Sequence, residues 1–214
     1  MLIVNSYLRY SILIKKTMSY SAKIVLLNAN DLSNSFSELS FLKEEDFIYI
    51  NKFKTELGRK EHAASMYLKR KYIGDYIIDQ HGKPICDKTY FNVSHSHGLV
   101  GIAICDIPIG IDIELIRHSD EDIHAFISCE DEYNYIHDDK SFYEIWTNKE
   151  SLMKCIGTGI HGEIKNIPAL PINGLKEQHK MFFYTKNIIY NNYIISVTIK
   201  SKVGFDIIFS EEKL

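Results

Sequence analysis

Cysteine is scarce and scattered in this 214-residue chain: Cys86, Cys105, Cys129 and Cys155 stand far apart, with no CxxC pair among them. Bridges or metal ribbons need tighter spacing, so the pattern argues against a disulfide scaffold or zinc ribbon and for reduced thiols in a cytoplasm. Positive charge is not in excess either. With 25 Lys+Arg against 28 Asp+Glu the formal net charge is −3, whereas a nucleic-acid binder would carry a basic footprint. Any anion site must therefore be a local cluster. No stretch approaches the ~18 uninterrupted apolar residues that suggest a membrane span. The opening MLIVNSYLRYSILIKK is interrupted by Asn5, Ser6 and Arg9. It lacks the basic leader and A-x-A-like cleavage site of a signal peptide. The pattern resumes at Met18 like an ordinary first strand, so residues 1–17 are expected to be peripheral. There is no low-complexity linker.

What is present is ordinary for a soluble globular protein: 45% hydrophobic and 25% charged residues, enough for a sizeable core. AKIVLLN (22–28) suits a buried strand. Leu39 to Tyr72 reads as helical through FLKEEDFIYINKF and HAASMYLKRKYI, with a break expected at Gly58. That region gathers Lys52, Lys54, Arg59, Lys60, Lys69, Arg70 and Lys71, for each of which a solvated helix face is the plain alternative. A turn at HGKP (81–84) leads to strands FNVSH, LVGIAIC and GIDIEL. Residues 120–138 are acidic and helical. SFYEIWTNKESLMKCIG is a second amphipathic helix that Gly157 and Gly159 stop. MFFYTKNIIY and YIISVTIK then form strands joined at Asn191–Asn192. The class is α+β. Two similar halves, 1–106 and 107–214, are expected to pack as a pseudo-twofold monomer with the site in the cleft between them.

Three clusters could carry chemistry. In IGIDIEL, Asp112 and Glu114 share one face of a strand because side chains alternate. Two buried like charges are costly without a cation, and paired hard oxygens suit Mg²⁺, although an exposed edge strand would carry them as easily. Gly110 allows close approach of a backbone or ligand. A third carboxylate could come from Glu130, Asp131 or Glu132. In WTNKESLMK, Glu150 and Lys154 lie at i, i+4: either an exposed ion pair or a base beside the metal with a phosphate-binding lysine. Spacing does not decide between them. His95 lies between Ser94 and Ser96 ahead of Gly98, a loop suited to an anion, and Lys83 adds a cation just before it. Together these suggest phosphoryl transfer or phosphate-ester chemistry.

The ordered series HGKP, FNVSHS, GIDIE and WTNKESLMKCIGTGI resembles the 4′-phosphopantetheinyl transferases, in particular the double-length, surfactin-synthetase-activating type. The resemblance is strong from about Lys52 to Ile160. It implies a pseudo-dimeric monomer that holds coenzyme A and Mg²⁺ between its halves. Such an enzyme moves the phosphopantetheine arm to a serine of an apo acyl or peptidyl carrier protein and releases adenosine 3′,5′-bisphosphate. By the same resemblance Asp112 and Glu114 are metal ligands, with a third carboxylate at Glu132 by ungapped counting or at Glu130 if the helix start is shifted. Glu150 is the base for the carrier serine. Lys154, His95, Ser94 and Lys83 are phosphate contacts, and Arg70 matches a terminal arginine of the basic helix that holds the 3′-phosphate. Asp46 and Tyr49 stand where close relatives have lysines, for which Lys52, Lys54 or Arg59 are the candidate substitutes. The docking face for an acidic carrier would involve 117–127 and the residues from Met153 to Ile160. The readings that compete are a non-catalytic coenzyme A or carrier-binding module, and another Mg²⁺-dependent phosphate-ester enzyme.

Overall fold

The computed structural model describes residues 19–33, 40–78, 84–157 and 164–213. The class is α+β, as expected. The first sheet has the order β10-β1-β5-β4, built from β1 (Tyr20–Asn28), β4 (Tyr90–Ser96), β5 (Leu99–Cys105) and β10 (Phe205–Glu212). The second has the order β6-β9-β8-β7, from β6 (Ile109–Leu115), β7 (Gly174–Gln178), β8 (Met181–Tyr190) and β9 (Tyr193–Ile199). A two-stranded ribbon, β2 (Ile77–Ile78) with β3 (Pro84–Ile85), stands apart. The helices are α1 (Glu44–Ile50), α2 (Glu56–Tyr72), α3 (Glu121–Ile127), α4 (Glu130–Tyr135) and α5 (Asp139–Ile156).

Alternation along the strands makes the layers. Ala22, Ile24 and Leu26 of β1 face Ile109, Ile111 and Ile113 of β6 and Ile195, Val197 and Ile199 of β9 in one core between the sheets. Each such isoleucine, fully buried, contributes roughly 1.5–3 kcal/mol. The opposite face of β1, with Val25 and Leu27, packs on Ala63, Ala64 and Leu68 of α2. On the far side of the second sheet lies α5. Its seam with β9 is polar: the hydroxyls of Thr147 and Ser196 lie 2.6 Å apart and those of Ser151 and Thr198 2.8 Å apart.

Two expectations change. Gly58 does not separate the helices. The break is the segment 51–55, where Thr55 caps α2 by accepting the Gly58 N–H at 3.1 Å, so Gly58 falls inside the first helical turn. Gly157, by contrast, ends α5 in the left-handed region at φ 86°, as expected; Gly159 lies outside the described residues. The division at 106–107 falls between β5 and β6, but β10 then returns to pair in parallel with β1 of the first sheet.

Candidate active site

β4 and β6 are edge strands of different sheets, and they meet through side chains. Asn92, Ser94 and Ser96 alternate along β4, so all three point the same way. The Asn92 Oδ1, Ser94 Oγ and Ser96 Oγ accept the backbone N–H groups of Ile111, Ile113 and Leu115 at 3.1, 3.3 and 3.3 Å. These are amides that β6 would otherwise leave orphaned at its edge. The two hydroxyls then donate onward: Ser94 to Asp112 Oδ1 at 3.0 Å and Ser96 to Glu114 Oε2 at 2.8 Å. One polar row therefore ties the strands together and orients both carboxylates.

Gly110 brings the helix down onto them. A Cβ there would lie 2.1 Å from the Ser151 carbonyl oxygen and 2.4 Å from the Cys155 nitrogen, so α5 rests on the β6 backbone itself. The close approach foreseen at this glycine is that of a backbone. Trp146, Glu150 and Lys154, spaced by four along α5, consequently face Asp112 and Glu114. Together with Val93, Ser94 and His95 they line a cavity of about 300 Å³. The other residues of WTNKES are used elsewhere. Thr147 and Ser151 bind β9, while Asn148 donates to the Ala169 and Ile172 carbonyls and Lys149 to those of Ile164 and Ile167.

Three carboxylates share this space, and all are pushed above their ordinary range. Burial raises Asp112, against the pull of Lys154. Burial and then the Asp112 charge raise Glu114 and Glu150. One cation already answers them: Lys154 Nζ lies 2.5 Å from Asp112 Oδ1 and 3.1 Å from Ser94 Oγ. It pairs across to the strand. Asp112 Oδ2 is buried with no hydrogen-bond partner, which is expensive for a carboxylate oxygen unless a cation meets it. Among the described residues no three His, Cys, Asp or Glu side chains enclose an ion by themselves. Asp112, through its unpartnered Oδ2, and Glu114 are the carboxylates here that could take part in holding a divalent cation.

Glu132 does not join them. It is 2% exposed, pairs with the fully buried Lys149 at 2.7 Å, and accepts the N–H groups of Ala169 and Cys129 at 2.7 and 3.1 Å. Both oxygens are committed to holding the 164–172 segment and the start of α4. The expected metal role is corrected accordingly, and Glu130 is exposed at the first position of α4. The third carboxylate lining the cavity is Glu150. Arg59 donates to the carbonyls of Phe53 and Lys54. Arg70 pairs with Asp46 at 2.5 Å and lines a separate cavity of about 450 Å³ with Lys43, Tyr76 and three acids. Neither arginine lines the carboxylate cavity, and Asp46 offsets the charge of Arg70. Lys83 and residues 1–17 lie outside the described residues. Asn92 and Trp146 were not singled out from sequence. The alternation of Asn92 with Ser94 and Ser96 was a readable signal for the first; the second opens the WTNKESLMK stretch.

Residues 108–198, which contain β6, α5 and most of the second sheet, match the family model described as the 4′-phosphopantetheinyl transferase superfamily. The superfamily read from the motifs is therefore the one this segment matches. Among individual proteins, the chain is 36% identical over 119 residues to 4′-phosphopantetheinyl transferase gsp of Aneurinibacillus migulanus, covering 51% of this chain and 47% of that one. It is 34% identical over 92 residues to a 4′-phosphopantetheinyl transferase of Bacillus subtilis, covering 39% and 41%. It is 35% identical over 88 residues to 4′-phosphopantetheinyl transferase psf-1 of Bacillus pumilus, covering 37% and 38%. The matches span from under two-fifths to about half of the length of these relatives.

Proposed function

We propose that this protein transfers the 4′-phosphopantetheine arm of coenzyme A to a serine of an apo carrier protein, releasing adenosine 3′,5′-bisphosphate. The observation that carries the reading is Asp112: buried, beside two more desolvated carboxylates, its Oδ2 unpartnered. It stands within a cavity that also offers Lys154, Ser94 and His95. Cations and phosphate oxygens together would satisfy that set. Asp112 and Glu114 would hold Mg²⁺, which when bound offsets the negative charge of the diphosphate.

The protein's own groups supply the rest. Glu150, raised by burial and its acidic neighbours, is a stronger proton acceptor than a solvated glutamate. The carrier serine Oγ attacks the β-phosphorus, its proton passes to Glu150, and the bond to the adenosine-side phosphate breaks. Lys154, through its charge, and His95, through a ring nitrogen, stabilise charge on the phosphate oxygens in an open cavity. The repeated strand order, β1-β5-β4 in one sheet and β6-β9-β8 in the other, supports a pseudo-twofold arrangement of halves with this cavity at their junction. We take the chain to act as a cytoplasmic monomer. Among the described residues no helix is long and apolar enough to cross a membrane, and Cys86, Cys105, Cys129 and Cys155 are free thiols. Ile123 and Phe126 of α3, 43% and 70% exposed, support 117–127 as the carrier-docking face.

The test is direct. Purified protein, coenzyme A, Mg²⁺ and a panel of apo acyl and peptidyl carriers are mixed, and the carriers are weighed by mass spectrometry. A gain of one phosphopantetheine mass, abolished by Glu150→Gln, is expected. No gain on any carrier would defeat the proposal.

A further inference from the structure

His95 is the one ring among the cavity-lining residues whose two nitrogens must be told apart, and the structure gives a reason for its orientation. Its Nδ1 lies 3.3 Å from Glu61 Oε2, and its side chain keeps 35% of its surface exposed. Glu61 comes from α2, is 8% exposed, and spends its other oxygen on the Gly98 N–H at 2.7 Å. Gly98, at φ 91°, closes the tight turn between β4 and β5. A second ring completes the arrangement. His62 stacks on Phe53 with centroids 3.5 Å apart and meets His95 edge-on at 5.1 Å. Burial and the neighbouring His95 push the pKa of His62 down to about 4, so it stands as a neutral wall. Glu61 is lowered as well, which for a carboxyl favours the charged form. Burial would raise it, but the hydrogen bonds from His95 and Gly98 prevail and keep it a carboxylate.

We infer that Glu61 is a positioning residue for His95: its carboxylate accepts the ring's Nδ1–H and turns Nε2 to the cavity as the nitrogen that meets a phosphate oxygen. The inference rests on the transferase reading only for the identity of the phosphate. The hydrogen bond a histidine makes through one nitrogen sets what the other presents. A carboxylate at Nδ1 fixes that nitrogen as a donor and compensates the positive ring when Nε2 also donates, to an anionic oxygen. Glu61 reaches neither substrate nor metal; it acts through His95. Because the same carboxylate anchors the Gly98 turn, a structural role and a positioning role must be separated by experiment.

Glu61→Gln makes the separation. An amide oxygen can still accept the Gly98 N–H, while the amide NH₂ beside the ring can only donate, which calls for a lone pair on Nδ1. Long-range ¹⁵N–¹H spectra of the uniformly labelled full chain at alkaline pH should show His95 as the Nδ1–H tautomer in the native protein. In Glu61→Gln it should become the Nε2–H tautomer. Glu61→Asp, which keeps the carboxylate, should retain the native form and covers the case in which the glutamine variant does not fold. In the carrier assay the KM for coenzyme A should rise on the order of tenfold in Glu61→Gln, the size seen when an imidazole loses the group that orients it, with kcat within about twofold. On a His95→Ala background the same change should leave KM where it is. An unchanged tautomer, or an equal KM effect without His95, would overturn the inference. If no carrier is modified by the native protein yet the tautomer switches as expected, Glu61 still positions His95 and the transferase reading alone fails.

Discussion

Replacing Gly110 by alanine tests how tightly the site is assembled. The added methyl would sit 2.1 Å from the Ser151 carbonyl oxygen and 2.4 Å from the Cys155 amide nitrogen, against a normal contact of ~3.5 Å. Both obstacles are backbone, so no rotamer change relieves them and α5 must retreat by roughly 1 Å. Overpacking of this kind costs about 1–3 kcal/mol, which should appear as a lowered midpoint in urea unfolding. The functional loss should be larger than the stability loss suggests, because Trp146, Glu150 and Lys154 ride on α5 while Asp112 and Glu114 stay on β6. A displacement near 1 Å between reacting groups costs on the order of 10²-fold in rate. The assay is the rate of carrier modification followed by mass, at a temperature where the variant is folded by circular dichroism. Truncating the nearby side chain, as in Gly110→Ala/Ser151→Gly, should not rescue. An alanine variant with native midpoint and native rate would refute the close-contact argument altogether.

Two further outcomes concern the carboxylates. Glu132→Gln leaves Lys149 buried without its charge partner, a loss of about 3–5 kcal/mol, but the rise in Tm on adding Mg²⁺ should match that of the native protein; a lost Mg²⁺ response would return Glu132 to the metal site. The pH dependence follows from Asp112, Glu114 and Glu150 all standing above their ordinary values. Their ionised forms penalise the metal-free fold near neutrality, and the penalty is relieved as pH falls through the folded pKa values toward the unfolded ones. Protons therefore compete with the cation, and the Mg²⁺-induced rise in Tm, about 2–4 °C per kcal/mol of binding, should be larger at about pH 7.5 than at about pH 5. Asp112→Asn/Glu114→Gln should abolish it. Equal rises at both pH values, or a rise surviving in the double variant, would contradict the assignment.

Much of this was legible in local pattern. The apolar strands, the two-residue alternation that puts Asp112 and Glu114 on one face, and the four-residue spacing that unites Glu150 with Lys154 all follow from backbone periodicity. What stayed hidden depends on which elements meet. Glu61 gains its role from the packing of α2 against an edge strand, and nothing in its neighbours announces it. Glu132 shows the opposite hazard. Counting from Asp112 made it a ligand, whereas its place three residues into α4, accepting the Cys129 N–H, is a helix-start signature that spacing arguments overlook. Thr55 was likewise the informative residue where Gly58 drew attention, since a threonine ahead of a helix accepts its free amides. β10 was missed because its partner is remote in sequence and FDIIFSEE is only weakly alternating.

That last strand bears on how the protein is made. Tyr20 lies opposite Phe205, and Lys71 and Tyr72 of α2 both grip Glu212 near the strand's end. β1 leaves the ribosome well before β10, so one side of it waits for backbone partners until residues 205–212 have been made. An unsatisfied edge in a nascent polypeptide invites pairing with the wrong neighbour, so this stretch of the molecule is where chaperones would earn their place. Within this sheet the earliest strand gains its final neighbour last.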